Sequence, residues 1–275
     1  MRLVRILIIG SLCFGAIPAM THAQSRRGVE IRETAGPLEQ QAKPLSKASP
    51  LPRFKSSSQA PAYPWELRRL GARSALIVQV TVDGSGRIVE ARRAQGPLVQ
   101  VAIGSPNDAA ARRAAADAVL RSTSESLKEV RFDDPPEGPS TFQVSFAFVA
   151  GKSRFALADP AELLPAEAQP APWAAAEGAL PTGQVKMPKQ KKYVKPVYSK
   201  AALDARVQGT VQLEVVIGPD GNVTDTRILK SIPLLDQSAI EATLRARYEP
   251  IAVYGNPASV LSVVMHTFTF KTKSE

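Results

Sequence analysis

Val211-Gln212-Leu213-Glu214-Val215-Val216-Ile217, followed at once by Gly218-Pro219-Asp220-Gly221-Asn222, is the stretch on which the fold turns. Val211, Leu213, Val215 and Ile217 point one way while Gln212 and Glu214 point the other, the period of a strand with one buried face. The glycine-bearing turn supplies the positive φ that a tight hairpin demands, so Val223 to Leu229 is predicted to return antiparallel. The same text stands 135 residues upstream: Leu76-Ile77-Val78-Gln79-Val80-Thr81-Val82, then Asp83-Gly84-Ser85-Gly86-Arg87, then the return strand Ile88 to Arg92. Pro61 lands on Pro196, Tyr63 on Tyr198, Gly86 on Gly221 and Arg92 on Arg227. Repetition at a domain-sized period implies two copies of one small unit, each with its own core.

Working outward, each copy opens on Pro-x-Tyr, at Pro61 and at Pro196, and a short helix follows, Glu66 to Leu70 or Lys200 to Leu203. After the hairpin comes a longer helix. In the second copy it is Asp236 to Arg247, with Ile240 and Leu244 stacked at i, i+4 and Asp236 in the first turn. In the first copy it is Asp108 to about Ser122, with Ala115 and Val119 facing inward. Phe132 then matches Tyr248 at an offset of 116, so the first copy carries an insertion, expected in the Leu98 to Asn107 loop and after the helix. A last strand closes each copy, with Phe142, Val144, Phe146 and Phe148 matching Val264, His266, Phe268 and Phe270. The fold class is α+β, in two tandem domains, each a three-stranded antiparallel sheet packed against two helices.

The intervening text is poor in large apolar residues. Residues 24–58 are rich in Gln, Ser, Pro and Lys and are expected to form a flexible linker. Residues 152–191 are broken by Pro160, Pro165, Pro170, Pro172, Pro181 and Pro188, the composition of a semi-extended spacer. The domains are therefore expected at 59–151 and 192–272, each on its own tether. At the N-terminus, Arg2 and Arg5 precede an apolar run from Leu3 to Ala19, and Thr21-His22-Ala23 offers a small-residue cleavage site, so residues 1–23 read as a signal peptide. A bilayer span needs roughly 20 apolar residues, and this run is shorter and broken by Gly10, Gly15 and Pro18. Retention as a short inner-membrane anchor facing the periplasm is the alternative. A lipoprotein is disfavoured because Leu12, not a small residue, precedes Cys13.

Cys13 is the single cysteine, so a chain cut after Ala23 has no disulfide and no thiolate metal site. No nucleophile elbow, metal-binding His pair or phosphate-cradling glycine loop is present, which argues against an enzyme and against any cofactor or metal. The net charge of +10 suits acidic partners, yet no aromatic residues interleave with the basic ones as in a nucleic-acid reader, so nucleic acid is excluded as a partner.

Taken together, Pro196-x-Tyr198, Gly209-x-Val211-x-Leu213-x-Val215-x-Ile217, Asp220-Gly221-x-Val223, Leu235-Asp236, Tyr248-Glu249-Pro250 and Phe268-x-Phe270 resemble the C-terminal domain of the TonB energy transducers. The resemblance covers about residues 192 to 272. Residues 59–151 look like a diverged copy, with Phe132-Asp133-Asp134-Pro135 replacing the Tyr-Glu-Pro element. It implies a periplasmic protein of a Gram-negative envelope that grips an extended segment of a protein partner, such as an outer-membrane transporter, at an open strand edge. It places the docking edge on the last strand, about Ser262 to Phe270. The chain departs from the family in two respects. The apolar N-terminal run carries no His–Ser pair of the kind a transducer's membrane helix has, and Lys195 and Ala60 stand where the family has Gln before Pro-x-Tyr.

The expected partner-binding residues are thus Lys195, Pro196, Val197, Tyr198, Val264, His266 and Phe268, with Tyr63, Tyr198 and Tyr248 mainly structural. Three functions remain open: a soluble strand-capturing protein in envelope transport, a membrane-anchored transducer, and a two-domain adaptor. Lys186, Lys189, Lys191, Lys192 and Lys195 form a basic run that reads either as solvated linker or as attraction to an anionic envelope surface. Open edges also allow a strand-exchanged homodimer.

Overall fold

A computed structural model describes residues 29–45, 52–106, 108–133, 139–157, 173, 176 and 178–270. Residues 1–23 and Asp134-Pro135, which the sequence singles out, lie outside these. Among the described residues the chain order is β1 (Ile31–Arg32), α1 (Pro37–Gln41), β2 (Lys43–Pro44), β3 (Arg53–Phe54), α2 (Trp65–Leu70), β4 (Arg73–Val82), β5 (Ile88–Gln100), α3 (Ala109–Glu129), β6 (Phe132–Asp133), β7 (Ser140–Val149) and β8 (Lys152–Ala156). There follow β9 (Leu180–Pro181), β10 (Gln190–Lys192), α4 (Lys200–Asp204), β11 (Gly209–Ile217), β12 (Val223–Lys230), α5 (Pro233–Arg245), β13 (Arg247–Tyr248), β14 (Ala252–Val253), β15 (Asn256–Pro257) and β16 (Val260–Phe268).

The alternation read from the sequence sets both cores. β4 lies between β5 and β7, and β11 between β12 and β16, all antiparallel. Val211, Leu213, Val215 and Ile217 are fully buried beneath Leu235, Ala239 and Ile240 of α5. In the first unit Val78, Val80 and Val82 lie under Ala115, Val119 and Leu127 of α3, with Phe132, Phe146 and Phe148 filling the space between. Burying one such aliphatic or aromatic side chain contributes about 2–3 kcal/mol relative to leaving it in water. α3 begins at a capping Asp108, whose carboxylate accepts from Ala111 N–H at 2.6 Å.

The sheets are wider than the three strands expected. The first has six, with β1 parallel on β5 and β2 and β8 on the outer edge of β7; the second has four, in the order β12-β11-β16-β9. The added strands come from segments expected to be flexible linkers. Their few apolar residues suffice to seat them: Val29, Ile31, Leu45 and Phe54 pack on the first core, and Phe54 contacts Phe132 and Phe155 at centroid distances of 5.0 and 4.5 Å. A sheet edge presents unpaired N–H and C=O groups, so a polar segment that cannot build a core still gains by pairing there. The insertion in the first unit lies only partly where expected. It lengthens β5 to Gln100 and α3 to Glu129, and only the remainder falls in the connection between them, which is longer than that between β12 and α5.

The two units do not hang on separate tethers. α2 of the first packs on β12 and α5 of the second, with Trp65 against the second core. Arg68 donates to Asp225 at 2.6 Å and to the Gly151 carbonyl at 3.0 Å, while Arg69 donates to Asp236 at 2.7 Å. Asp225 and Asp236 are both buried, and Asp236 also accepts from Ser231 and from Ile232 N–H. Burial pushes the Asp225 carboxyl above its ordinary range, although Arg68 and Thr226 N–H pull it down. Trp173, from the expected spacer, is buried against Ala102 of the first unit and Val216 of the second, with Arg227 over its ring at 5.4 Å.

Candidate functional site

β16 has β11 along one side for its whole length, Val260↔Ile217 through Phe268↔Gly209. On its other side β9 covers only Val260 and Leu261. Leu180 N–H donates to the Ser259 carbonyl at 2.9 Å, and Thr182 Oγ1 donates to the Leu261 carbonyl at 2.6 Å. The odd-numbered residues of β16 therefore turn their N–H and C=O away from β11. By the same parity the backbone of Val263, Met265 and Thr267 faces outward beyond β9. Among the described residues no hydrogen bond outside the β11 ladder is made by these three backbones. Their side chains are exposed as well, Val263 at 53% and Met265 at 63%.

The residues expected to bind a partner occupy the alternate positions of β16. Val264, His266 and Phe268 have the opposite parity and turn inward; His266 and Phe268 are buried. A one-residue change of phase moves a strand's side chains to the other face. Phe268 packs edge-on to Tyr198 at 5.2 Å, and Tyr198 stacks on Phe270 at 5.0 Å. His266 Nε2 lies 2.8 Å from Thr243 Oγ1, which donates its own proton to the Ala239 carbonyl. The hydroxyl can then only accept, so Nε2 carries the imidazole proton and Nδ1, buried and unpartnered, does not. Burial accordingly holds the His266 pKa below the usual value.

The other expected residues sit beside a different feature. Lys195, Pro196, Val197 and Tyr198 line a groove of about 520 Å³ together with Pro233, Leu234 and Glu241 of the second unit and Trp65 of the first. Val197 is 78% exposed there, while Pro196 is buried. Tyr198 is half-buried and its hydroxyl is unpartnered. Its counterpart Tyr63 donates to the Ala72 carbonyl at 2.7 Å. The structure thus brings the Lys195–Tyr198 run together at this groove, with Tyr198 reaching Phe268 at the end of β16. The sequence does not single out Val263, Met265 and Thr267, although the alternation of Val264, His266 and Phe268 already assigns them to the opposite face.

The first unit treats the same position differently. The outer edge of β7 is filled by β8, Ser145↔Ala156 through Val149↔Lys152, and by β2 at Ser140 and Thr141. Among the described residues no cluster of three or more His, Cys, Asp or Glu could hold a metal ion, and no helix is long and apolar enough to cross a membrane.

Residues 194–271 match the family described as Gram-negative bacterial TonB protein C-terminal. This segment holds α4, β11, β12, α5 and β16, and so the open edge. The chain is also similar to the solution NMR structure of the Pseudomonas aeruginosa TonB C-terminal domain, at 24% identity over 32% of this chain and 92% of that one, with a TM-score of 0.28. No curated protein matches the chain.

Proposed function

We propose that this protein is a non-enzymatic binding protein of the Gram-negative envelope that captures extended segments of partner proteins, such as outer-membrane transporters, by strand addition at the free edge of β16. The observation that carries this reading is the outward parity of Val263, Met265 and Thr267. Three consecutive donor–acceptor pairs stand in register with no partner among the described residues, as β-augmentation requires. The family match of residues 194–271 supports a role in envelope transport. We read residues 59–151 as a diverged copy of the same unit, supported by the shared order helix, hairpin, helix, strand. Its β7 edge is occupied by the chain's own β8 and β2, so the second unit is the one that binds. Residues 1–23 act as a cleaved signal peptide that delivers the chain to the periplasm.

The test is Met265→Pro, which removes an outward N–H while leaving the β11 ladder intact. The variant is expected to keep the far-UV spectrum and melting behaviour of the parent and to lose capture of extended peptides. Thr267→Pro is the second variant, should the first fail to fold. Normal peptide capture by a folded variant would overturn the reading.

A further inference from the structure

The chain between β9 and α4 keeps touching β16. Thr182 touches Leu261, Met187 Sδ lies 3.2 Å from Ser262 Oγ, and the Tyr193 ring lies 6.3 Å from that of His266. Tyr198 then meets Phe268. Residues 182–198 therefore track β16 from its start to its end, alongside the open edge. β10 holds this track by pairing with β13, Gln190↔Tyr248 and Lys192↔Arg247, and Glu249 N–H donates to the Lys189 carbonyl at 2.9 Å.

Along this track stand Lys186, Lys189, Lys191, Lys192 and Lys195, all exposed. None of them has an ion-pair partner among the described residues. The track from Thr182 to Tyr198 contains no Asp or Glu, and neither does β16. A basic run of this kind on a free linker is usually solvated. Here pairing to β13 fixes its middle, and Met187 and Tyr193 hold it against Ser262 and His266 of β16.

We propose that the segment captured by β16 is an acidic one: an extended partner peptide carrying Asp or Glu, whose backbone pairs with Val263, Met265 and Thr267 while its carboxylates meet the Lys186–Lys195 track. The inference rests on the strand-capture reading and adds the chemistry of the partner. An anionic lipid surface would satisfy the lysines but would leave the register of N–H and C=O groups on β16 unpaired, so a polypeptide fits both features. Electrostatic complementarity at such an edge selects among partners and speeds encounter.

The experiment uses the chain cut after Ala23 and three labelled nine-residue peptides of alternating Val and Thr, with three positions replaced by Asp, Ser or Lys. Affinities are compared at low and high salt, with vesicles containing anionic phospholipid as competitor. The Asp peptide is expected to bind roughly tenfold tighter than the Ser peptide, the summed effect of three solvent-exposed ion pairs, and the Lys peptide more weakly than both. The margin should shrink at high salt and vanish when the five lysines are changed to Gln. Equal affinity for Asp and Ser peptides would overturn the charge inference and leave strand capture standing. Asp-peptide binding that survives Met265→Pro would overturn both, as would failure of every peptide to bind. Vesicle binding that displaces the Asp peptide and is lost in the five-Gln variant would assign the track to a membrane instead.

Discussion

Tyr248 N–H donates to the Gly221 carbonyl at 2.9 Å, and Gly221, at φ 80°, leaves no room for a Cβ, which would run into the Tyr248 carbonyl oxygen. The pair ties the hairpin between β11 and β12 to the strand after α5. Gly86 and Phe132 repeat it in the first unit, with Phe132 N–H donating at 3.0 Å and Gly86 at φ 77°. Gly221→Ala adds both a left-handed penalty and a backbone clash, and is expected to destabilise the second unit by about 2–3 kcal/mol. Chemical denaturation followed by far-UV circular dichroism checks this; a loss below about 0.5 kcal/mol would mean the hairpin relaxes freely.

Arg68 is the cross-unit contact with most at stake, because its partner Asp225 is buried and its own side chain is only 15% exposed. Removing one member of a buried pair strands the other. Arg68→Ala is therefore expected to cost about 3 kcal/mol and to split one melting transition into two, read by calorimetry. An unchanged single transition would show that the remaining contacts of α2 suffice to couple the units.

His266 sets a pH dependence. Its folded pKa is lowered by burial, so across the window from the ordinary histidine value of about 6.5 downward the unfolded chain binds more protons than the folded one. Stability contributed by neutral His266 is thus full above that value and is lost as pH falls through it. His266→Gln should flatten this slope between about pH 7 and 5, measured as the shift of the denaturation midpoint. A parental slope equal to that of the variant would remove His266 as its cause.

Much of the fold was legible because alternation is a property of few residues. Val211 to Ile217 and the turn glycines fixed the hairpins, and Ile240 with Asp236 fixed the helix above them. The edges were not legible. Whether Lys152–Ala156 folds onto β7 or remains a tether depends on Phe155 finding Phe54 and Phe146, a contact made across distant segments. Asp225 gave no signal, since an acid in a strand reads as solvent-facing until its partner Arg68 is known. The outward positions of the candidate site were not legible either: the choice between Val264 and Val263 depends on where Leu180 pairs.

The most direct measurement is amide hydrogen exchange by NMR on the chain cut after Ala23, with and without a bound alternating Val–Thr peptide bearing Asp. Strand addition at β16 predicts new protection at Val263, Met265 and Thr267, while Val264 and His266, already paired to β11, change little. Saturating peptide that leaves Val263, Met265 and Thr267 exchanging as in the free protein, with protection appearing instead around Val197 and Leu234, would contradict the account and move the site to the groove beside Trp65.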